Sequence, residues 1–327
     1  ETVADGGIAF LPIAEPPVDF FAPYARPNRP GLRERSLAGR RRRRDRALAG
    51  FDLNPFRASL EVAAPDLLLI DCELHPHILI ALGQGHRVAL LSSMLPGVAG
   101  LRAPPLDSAI VPGRGLRGSP AGVTWAWLRF WAWSARVHAT TRLKFWGGDQ
   151  ASVLRHLARL EGVDTAIIDS MRWQLPWGYR LPTLIPHPRE LDLPSGHRPL
   201  LRYIGPMIPA GRAPGPASEA SAFLDRVRAE GAAPRFVYAG FGSMVGAPPA
   251  LEATLVELFR RRPDWRLLLV TRTADGTAGP DDLPPNVCRV GWAPQTEALQ
   301  LAALSISHGG INTIAESMAA GVPALVF

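Results

Sequence analysis

Apolar residues run without a break through Leu67-Leu68-Leu69-Ile70, between Asp66 and Asp71 and just after an Ala64-Pro65 that ends a helix. A run of this length bounded by breakers predicts a strand of a parallel sheet buried on both faces. His77–Leu82 then reads as a helix, Gly83-Gln84-Gly85 as a turn, and Arg87-Val88-Ala89-Leu90-Leu91 as the next strand. Strand, helix, strand at this spacing is a βαβ unit. Asp71, Cys72, Glu73, His75 and His77 are thereby placed at the carboxyl end of a parallel strand, where open α/β sheets build their sites. Ahead of this unit, Gly7–Ile13 reads as a buried strand, 14–30 as proline-rich loop and 31–49 as a basic helix.

The same alternation returns in the second half. Arg235–Ala239 predicts a strand, Gly240-Phe241-Gly242-Ser243 a glycine turn, Leu251–Arg261 a helix and Trp265–Val270 a strand. Val287–Val290 and Ser305-Ile306-Ser307 are further strands, and Pro323–Phe327 begins another. A sheet does not normally stop on an uncovered strand, so the expectation is a chain that continues at this end, and also precedes the start. Between the halves, Asp149–Leu160 reads as an amphipathic helix, and Ala166-Ile167-Ile168 and Leu184-Ile185 as short strands. Leu201–Ile204 leads into Gly205-Pro206, after which proline and glycine thicken before a helix at about 218–229. The expected division is 1–212, a linker over 213–234, and 235–327.

Residues 120–146 break the pattern with Trp125, Trp127, Trp131, Trp133 and Trp146, joined by Phe130 and Phe145. Trp127, Phe130, Trp131 and Ser134 share one helix face, while Trp125 and Trp133 fall elsewhere. Aromatics around most of a helix exceed what one core face needs. They open two functional readings beside core packing: an apolar ligand pocket or an interfacial helix.

A length of 327 residues favours two domains, and 47% hydrophobic with 20% charged residues is an ordinary soluble composition. The two cysteines, Cys72 and Cys288, show no framework or metal-ligand spacing, which suits a reducing compartment and no structural zinc. No signal peptide or bilayer-length apolar run is present, so the expected location is cytoplasmic. The net charge of +7 is carried by arginine, with Lys144 the single lysine, and is densest in Arg40-Arg41-Arg42-Arg43-Arg44-Asp45-Arg46. Without aromatic interleaving or a nucleic-acid motif, this cluster reads as a solvated helix face, with peripheral contact at the inner membrane face as the alternative, and nucleic acid is not an expected partner.

Chemistry concentrates near the end: Gly291-Trp292-Ala293-Pro294-Gln295, Ser307-His308-Gly309-Gly310-Ile311-Asn312-Thr313, Glu316, and Gly321-Val322-Pro323. Paired glycines predict a sharp turn, and Asn312 or Thr313 opens a helix with Glu316 in its first turns. A glycine turn entering a helix presents free N–H groups and the positive end of the dipole, which suits a phosphate. Gly240-Phe241-Gly242-Ser243, following a strand, could cradle a phosphate with backbone N–H groups and the Ser243 hydroxyl, or be a plain strand-to-helix turn. Trp292 is either core or a platform for a flat base, Glu316 either surface charge or a partner for ribose hydroxyls, and His308 either a turn residue or a group facing the anion.

Trp292, Pro294, Gln295, His308, Gly310, Asn312, Thr313, Glu316 and Gly321-Val322-Pro323 resemble the signature box of the UDP-glycosyltransferase superfamily (family 1 glycosyltransferases). Phe241-Gly242-Ser243 and Gly205-Pro206 match further family positions. Ile311 is nearer the bacterial macrolide, sterol and carotenoid transferases than the plant form, which carries tryptophan there. The resemblance implies an α/β protein of GT-B fold, two Rossmann-like domains with parallel sheets facing across a cleft. It also implies an inverting, metal-independent transfer of a hexose from a UDP- or dTDP-sugar to a hydroxyl of a lipid, carotenoid, sterol or polyketide, with the nucleotide sugar as co-substrate and no cofactor. Trp292 and Ala293 would hold the base, Gln295 and Glu316 the ribose, and Gly242, Ser243, His308, Gly309, Gly310, Asn312 and Thr313 the diphosphate. Trp127, Phe130 and Trp131 would meet the acceptor. Asp71 matches the family's aspartate that orients a catalytic histidine. The Gly-His-x-x-Pro turn that carries this histidine has no counterpart here, leaving His75 or His77 as substitutes. A silent sugar-nucleotide-binding auxiliary protein and a GT-B-fold UDP-sugar epimerase are the alternative readings.

Overall fold

The computed structural model describes residues 35–51, 53–106, 108–168, 177, 180–194, 196, 198–208, 218–231, 235–242, 247–271 and 282–327. The strand expected at 7–13, the loop at 14–30 and Ser243 lie outside the described residues. The chain divides into two compact units, Glu1–Ile185 with Glu190–Tyr203, and Pro186–Arg189 with Ile204–Phe327.

In the first unit, α1 (Leu37–Ala49) and α2 (Asn54–Ala63) precede the expected βαβ module. Ala64 adopts φ 39° and closes α2 before Pro65, as the Ala-Pro pair predicts. β1 (Leu68–Asp71), α3 (His75–Gly83) and β2 (Val88–Leu91) follow, then α4 (Pro120–Phe145), α5 (Gln150–Leu160), β3 (Thr183–Ile185) and β4 (Leu201–Tyr203). The four strands form a parallel sheet in the order β1-β2-β3-β4. Ile78, Leu79, Ile80 and Ala81 of α3 are wholly buried in its core with Leu154 and Leu157 of α5. α5 starts where Asp149 accepts a hydrogen bond from the Ser152 N–H at 3.0 Å, an N-cap that fixes its first turn.

Two expectations change here. β1 is not covered on both faces by the described residues, since Leu67 and Leu69 remain 57% and 53% exposed. The stretch Ala166-Ile167-Ile168 is no strand. Asp164 accepts from the Ala166 N–H at 2.9 Å, and this local turn winds Thr165–Ile167 into a 3₁₀ helix.

The second unit contains α6 (Glu219–Ala229), β5 (Phe236–Gly240), α7 (Pro249–Arg260), β6 (Arg266–Val270), β7 (Val287–Val290), α8 (Gln295–Leu301), β8 (Leu304–Ser307), α9 (Ile311–Ala319) and β9 (Ala324–Val326). Its parallel sheet has the order β7-β6-β5-β8-β9, with β5 central and every residue of it buried. The strand period of two splits the core. Phe236, Tyr238 and Leu268 pack on one face with α6 and α8, while Val237, Ala239, Leu267 and Leu269 pack on the other with α7. The second half of the expected linker is therefore no spacer, because α6 buries Ala220, Phe223, Leu224 and Val227 in this core.

The chain steps from β5 to β6 and β7 on one side, then returns to lay β8 on the other side of β5. Such a reversal opens a crevice at the carboxyl ends of the two strands that flank it. The register sets those ends level: Gly240 lies opposite Val270 and Ser307, and Val270 opposite Val290.

Gly205, matched in sequence as part of Gly-Pro, has a spatial reason to be glycine. A Cβ there would fall on the carbonyl of Pro186 and the backbone nitrogen of His187. Gly205→Ala should lower the free energy of unfolding of the second unit by about 1–3 kcal/mol, the usual cost of overpacking. Urea titration followed by circular dichroism measures it, and an unchanged midpoint would contradict the tight approach.

Candidate nucleotide-binding site

Three loops leave the carboxyl edge of the second sheet together. The turn after β5 brings Gly242, the segment after β7 brings Gly291-Trp292-Ala293-Pro294, and the turn after β8 brings His308-Gly309-Gly310. Of these, Gly242, Gly291, Trp292 and Ala293 line a pocket of about 770 Å³ together with Tyr238, Gly240, Val270, Gln295, Thr296, Asn312, Thr313 and Glu316, inside the range of about 300–1,000 Å³ typical of ligand sites. Of the eleven sequence-expected donor residues, the pocket lining includes Gly242, Trp292, Ala293, Gln295, Asn312, Thr313 and Glu316. His308, Gly309 and Gly310 form the turn beside it, and Ser243 lies outside the described residues.

The glycine turn is shaped by His308. A Cβ on Gly242, whose φ is +76°, would meet the imidazole Cε1 at 2.7 Å, and one on Gly310 would meet Nε2 at 2.8 Å. The ring is seated between two backbones that only glycine allows so close. Its Nδ1 is buried with no hydrogen-bond partner among the described residues. Gly309 has φ +79°, and its N–H donates to the Ser307 hydroxyl at 3.2 Å.

α9 starts at Ile311, one residue ahead of the expected Asn312, with Gly310 as N-cap and no side-chain cap bond. Its first N–H groups are thus left for a ligand or solvent, at the positive end of the helix dipole. Asn312 is exposed in that first turn. Trp292 is half exposed along the pocket wall, an accessible aromatic face rather than a core side chain.

Behind this surface runs a hydrogen-bonded chain that sequence patterning does not show. The Tyr238 hydroxyl donates to Gln295 Oε1 at 2.8 Å. Gln295 Nε2 donates to Glu316 Oε2 at 2.7 Å and to Thr313 Oγ1 at 3.3 Å. The Gln295 amide is therefore engaged on both sides, and its effect is to hold the Glu316 carboxylate in place. Tyr238 was missed. The available signal was a phenol within an otherwise apolar central strand, since a buried hydroxyl needs a partner. Gly240 follows from it, because a Cβ there would sit 2.6 Å from the Tyr238 hydroxyl. Burial, with the Glu316 charge adding to it, pushes the Tyr238 phenol well above its usual range, so it stays a donor.

The first unit places its candidates differently. Asp71 is exposed at the end of β1, where its Oδ1 accepts from the Glu73 N–H at 2.9 Å. His75 is wholly buried, with Nδ1 3.0 Å from Gln150 Nε2 and its ring 5.8 Å from that of Trp177. A ring with no exposure does not meet a substrate hydroxyl, so His75 is an interior residue. His77 is half-buried with its ring edge-on to Phe56 at 4.7 Å, and burial lowers its pKa. Trp127 is likewise anchored inward, 5% exposed with Nε1 donating to the Ala103 carbonyl at 2.7 Å. Phe130 and Trp131 pack on it at 5.4 and 5.6 Å, and Trp131 keeps 41% of its surface exposed. No group of three or more His, Cys, Asp or Glu residues able to hold a metal ion occurs among the described residues.

Tyr238→Phe should destabilise the second unit by about 1–3 kcal/mol, because it leaves the half-buried Gln295 carbonyl without its donor. Chemical denaturation measures this, and a neutral effect would show that the phenol bond does not hold Gln295. In the first unit, burial disfavours the His77 imidazolium, so the unfolded chain takes up a proton before the folded one as pH falls. Stability should therefore decline below about the ordinary histidine pKa of 6.5. His77→Gln should flatten that decline, with His138, also depressed by burial, carrying the rest. Unfolding at pH 7.5 and 5.5 tests the sign.

Residues 286–327 match the Glycosyltransferase family 28 C-terminal domain. The chain is 28% identical over 191 residues to a sterol 3-beta-glucosyltransferase of Aspergillus clavatus, covering 56% of this chain and 13% of that protein. It is 34% identical over 87 residues to the demethyllactenocin mycarosyltransferase of Streptomyces fradiae, covering 27% of this chain and 19% of that one. The chain thus spans under a fifth of the length of these two curated relatives. Among solved structures, the glycotransferase of kitacinnamycin superposes with a TM-score of 0.58 at 21% identity, over 93% of this chain and 66% of that one. SnogD from Streptomyces nogalater gives 0.50 at 21%, over 99% and 69%. The chain therefore has the GT-B fold of these glycosyltransferase structures, and its residues 286–327 are similar to the family 28 C-terminal domain.

Proposed function

We propose that this protein is an inverting glycosyltransferase that moves a hexose from a UDP- or dTDP-sugar to a hydroxyl of a hydrophobic acceptor. The observation that carries the reading is the pocket at the β5/β8 crossover, where an uncapped helix N-terminus, an exposed indole and a braced carboxylate converge. Each matches one part of a nucleoside diphosphate. The α9 N–H groups and the glycine turn suit the diphosphate. Trp292 offers a stacking face for the base. Glu316, with Oε2 held by Gln295, keeps its other oxygen to accept from ribose hydroxyls.

In transfer, the bond from the anomeric carbon to the diphosphate breaks as the acceptor oxygen attacks the opposite face, which inverts the centre. Negative charge grows on the leaving diphosphate, and the fixed dipole and N–H groups of α9 stabilise it with no reorganisation at the moment of reaction. The acceptor's proton would pass to a base oriented by Asp71, for which His77 is the candidate that is not wholly buried. The sterol and macrolide-type relatives, together with the aromatic cluster on α4, favour an apolar acceptor.

The test is a thermal-shift panel of UDP, dTDP and GDP, followed by transfer of radiolabelled sugar to sterol and macrolide aglycones. A nucleotide that binds the folded state raises its melting temperature by mass action. Trp292→Ala should weaken nucleotide binding by about 1–3 kcal/mol, the range for an aromatic stacked on a base. Glu316→Gln should weaken it while leaving the Gln295 contact possible. No shift with any nucleotide would end the reading, and binding without transfer would leave the auxiliary-protein alternative standing.

A further inference from the structure

α4 carries a second apolar face that the core does not use. Val123, Trp127 and Ser134 are its buried residues. Trp125, Leu128, Ala132, Ala135, Ala139 and Leu143, at spacings of three or four residues, are all exposed. At 3.6 residues per turn this stripe lies roughly 140° around the helix from the buried face. Its large members are open to solvent, with Trp125 at 63%, Leu128 at 49% and Leu143 at 71% exposure. Arg129 and Arg136 follow one edge of the stripe and Arg142 the other, and the 26-residue helix contains no aspartate or glutamate.

The arginine cluster of α1 meets the carboxyl end of this helix. Trp146 Nε1 donates to the Ser36 carbonyl at 3.3 Å, and the Arg40 guanidinium lies 5.3 Å over the Trp146 ring. The Nε atoms of Arg40 and Arg44 stand 3.4 and 3.3 Å from where a Gly147 Cβ would be, buried and without a hydrogen-bond partner among the described residues. Burial and then the neighbouring charges of Arg40, Arg159 and Arg142 lower the Arg44 pKa, with Asp149 alone opposing. Two features far apart in sequence therefore form one surface, an apolar stripe whose carboxyl end meets the Arg40 and Arg44 side chains.

We propose that this α4–α1 surface docks the protein on an anionic phospholipid bilayer. α4 would lie in the plane of the interface with its stripe among the acyl chains and its arginines on lipid phosphates. The charge pattern selects this occupant. A second copy of the chain would set the cationic edges of α4 against each other, and no acidic residue on the helix relieves that. Spanning is not required, since no helix among the described residues is long and apolar enough to cross a membrane. The surface is separate from the nucleotide pocket and stands whether or not that pocket binds a sugar nucleotide.

Co-sedimentation of the 327-residue chain with phosphatidylcholine vesicles, with and without phosphatidylglycerol, tests the inference. Binding should require the anionic lipid and weaken as salt is raised. Arg129→Gln with Arg136→Gln should lower affinity roughly fivefold per arginine. Trp125→Glu with Leu128→Glu should abolish binding while thermal unfolding stays unchanged, because both side chains are exposed. Equal binding to neutral vesicles, no binding at all, or an unaffected glutamate double variant would overturn the proposal. So would concentration-dependent self-association, seen by light scattering without lipid, that this variant removes.

Discussion

The side-chain amide of Gln295 ties together three elements that line the candidate pocket: it accepts from Tyr238 on β5 and donates to Thr313 and Glu316 on α9, while itself opening α8. A carboxylate beside a pocket would otherwise turn toward water and lose its aim. Held at one oxygen from behind, Glu316 is positioned before any ligand arrives. The arrangement depends on burial of the Tyr238 phenol, whose hydrogen bond is stronger and whose loss is costlier in the dry interior than at a surface. The central strand of the core and the binding surface are thus one construction.

Space is the second constraint. His308, Gly242 and Gly310 occupy a volume in which one added methyl group would collide with the imidazole, and Gly309 turns the backbone where φ is positive. That close approach brings the end of β5 and the start of α9 near enough to share one ligand. It also leaves the first N–H groups of α9 uncapped, an unsatisfied condition that a diphosphate would complete.

The first unit treats its polar and aromatic residues in the opposite sense. His75 and Trp127 are turned inward, with His75 Nδ1 against Gln150 and Trp127 Nε1 donating to Ala103. Facing outward instead are Asp71 at its strand end, Trp131 in part, the apolar stripe of α4 with Arg129, Arg136 and Arg142, and Arg41, Arg42 and Arg46 of α1. The aromatics of this helix face both core and solvent, as their spread around most of its circumference implies.

The parallel α/β class, the strands from β5 to β9 and the signature residues around Trp292 and His308 were legible because they rest on local rules: apolar runs, glycine turns and fixed spacing. Strand ends moved by a residue or two, and Ala166–Ile168 became a 3₁₀ turn because a single Asp164 cap outweighed β-propensity. What the sequence could not determine was which side of each element faces inward. Period and spacing place Gln295 near Glu316 only once β5 and β8 are adjacent, and that adjacency is a non-local choice of strand order. The exposure of the α4 stripe, the burial of His75 and the meeting of Arg40 with Trp146 are likewise set by packing partners distant in the chain. Residue types and their order determined the chemistry available to this protein; the tertiary structure decided which groups were left with an unspent hydrogen bond, charge or apolar face to offer a ligand.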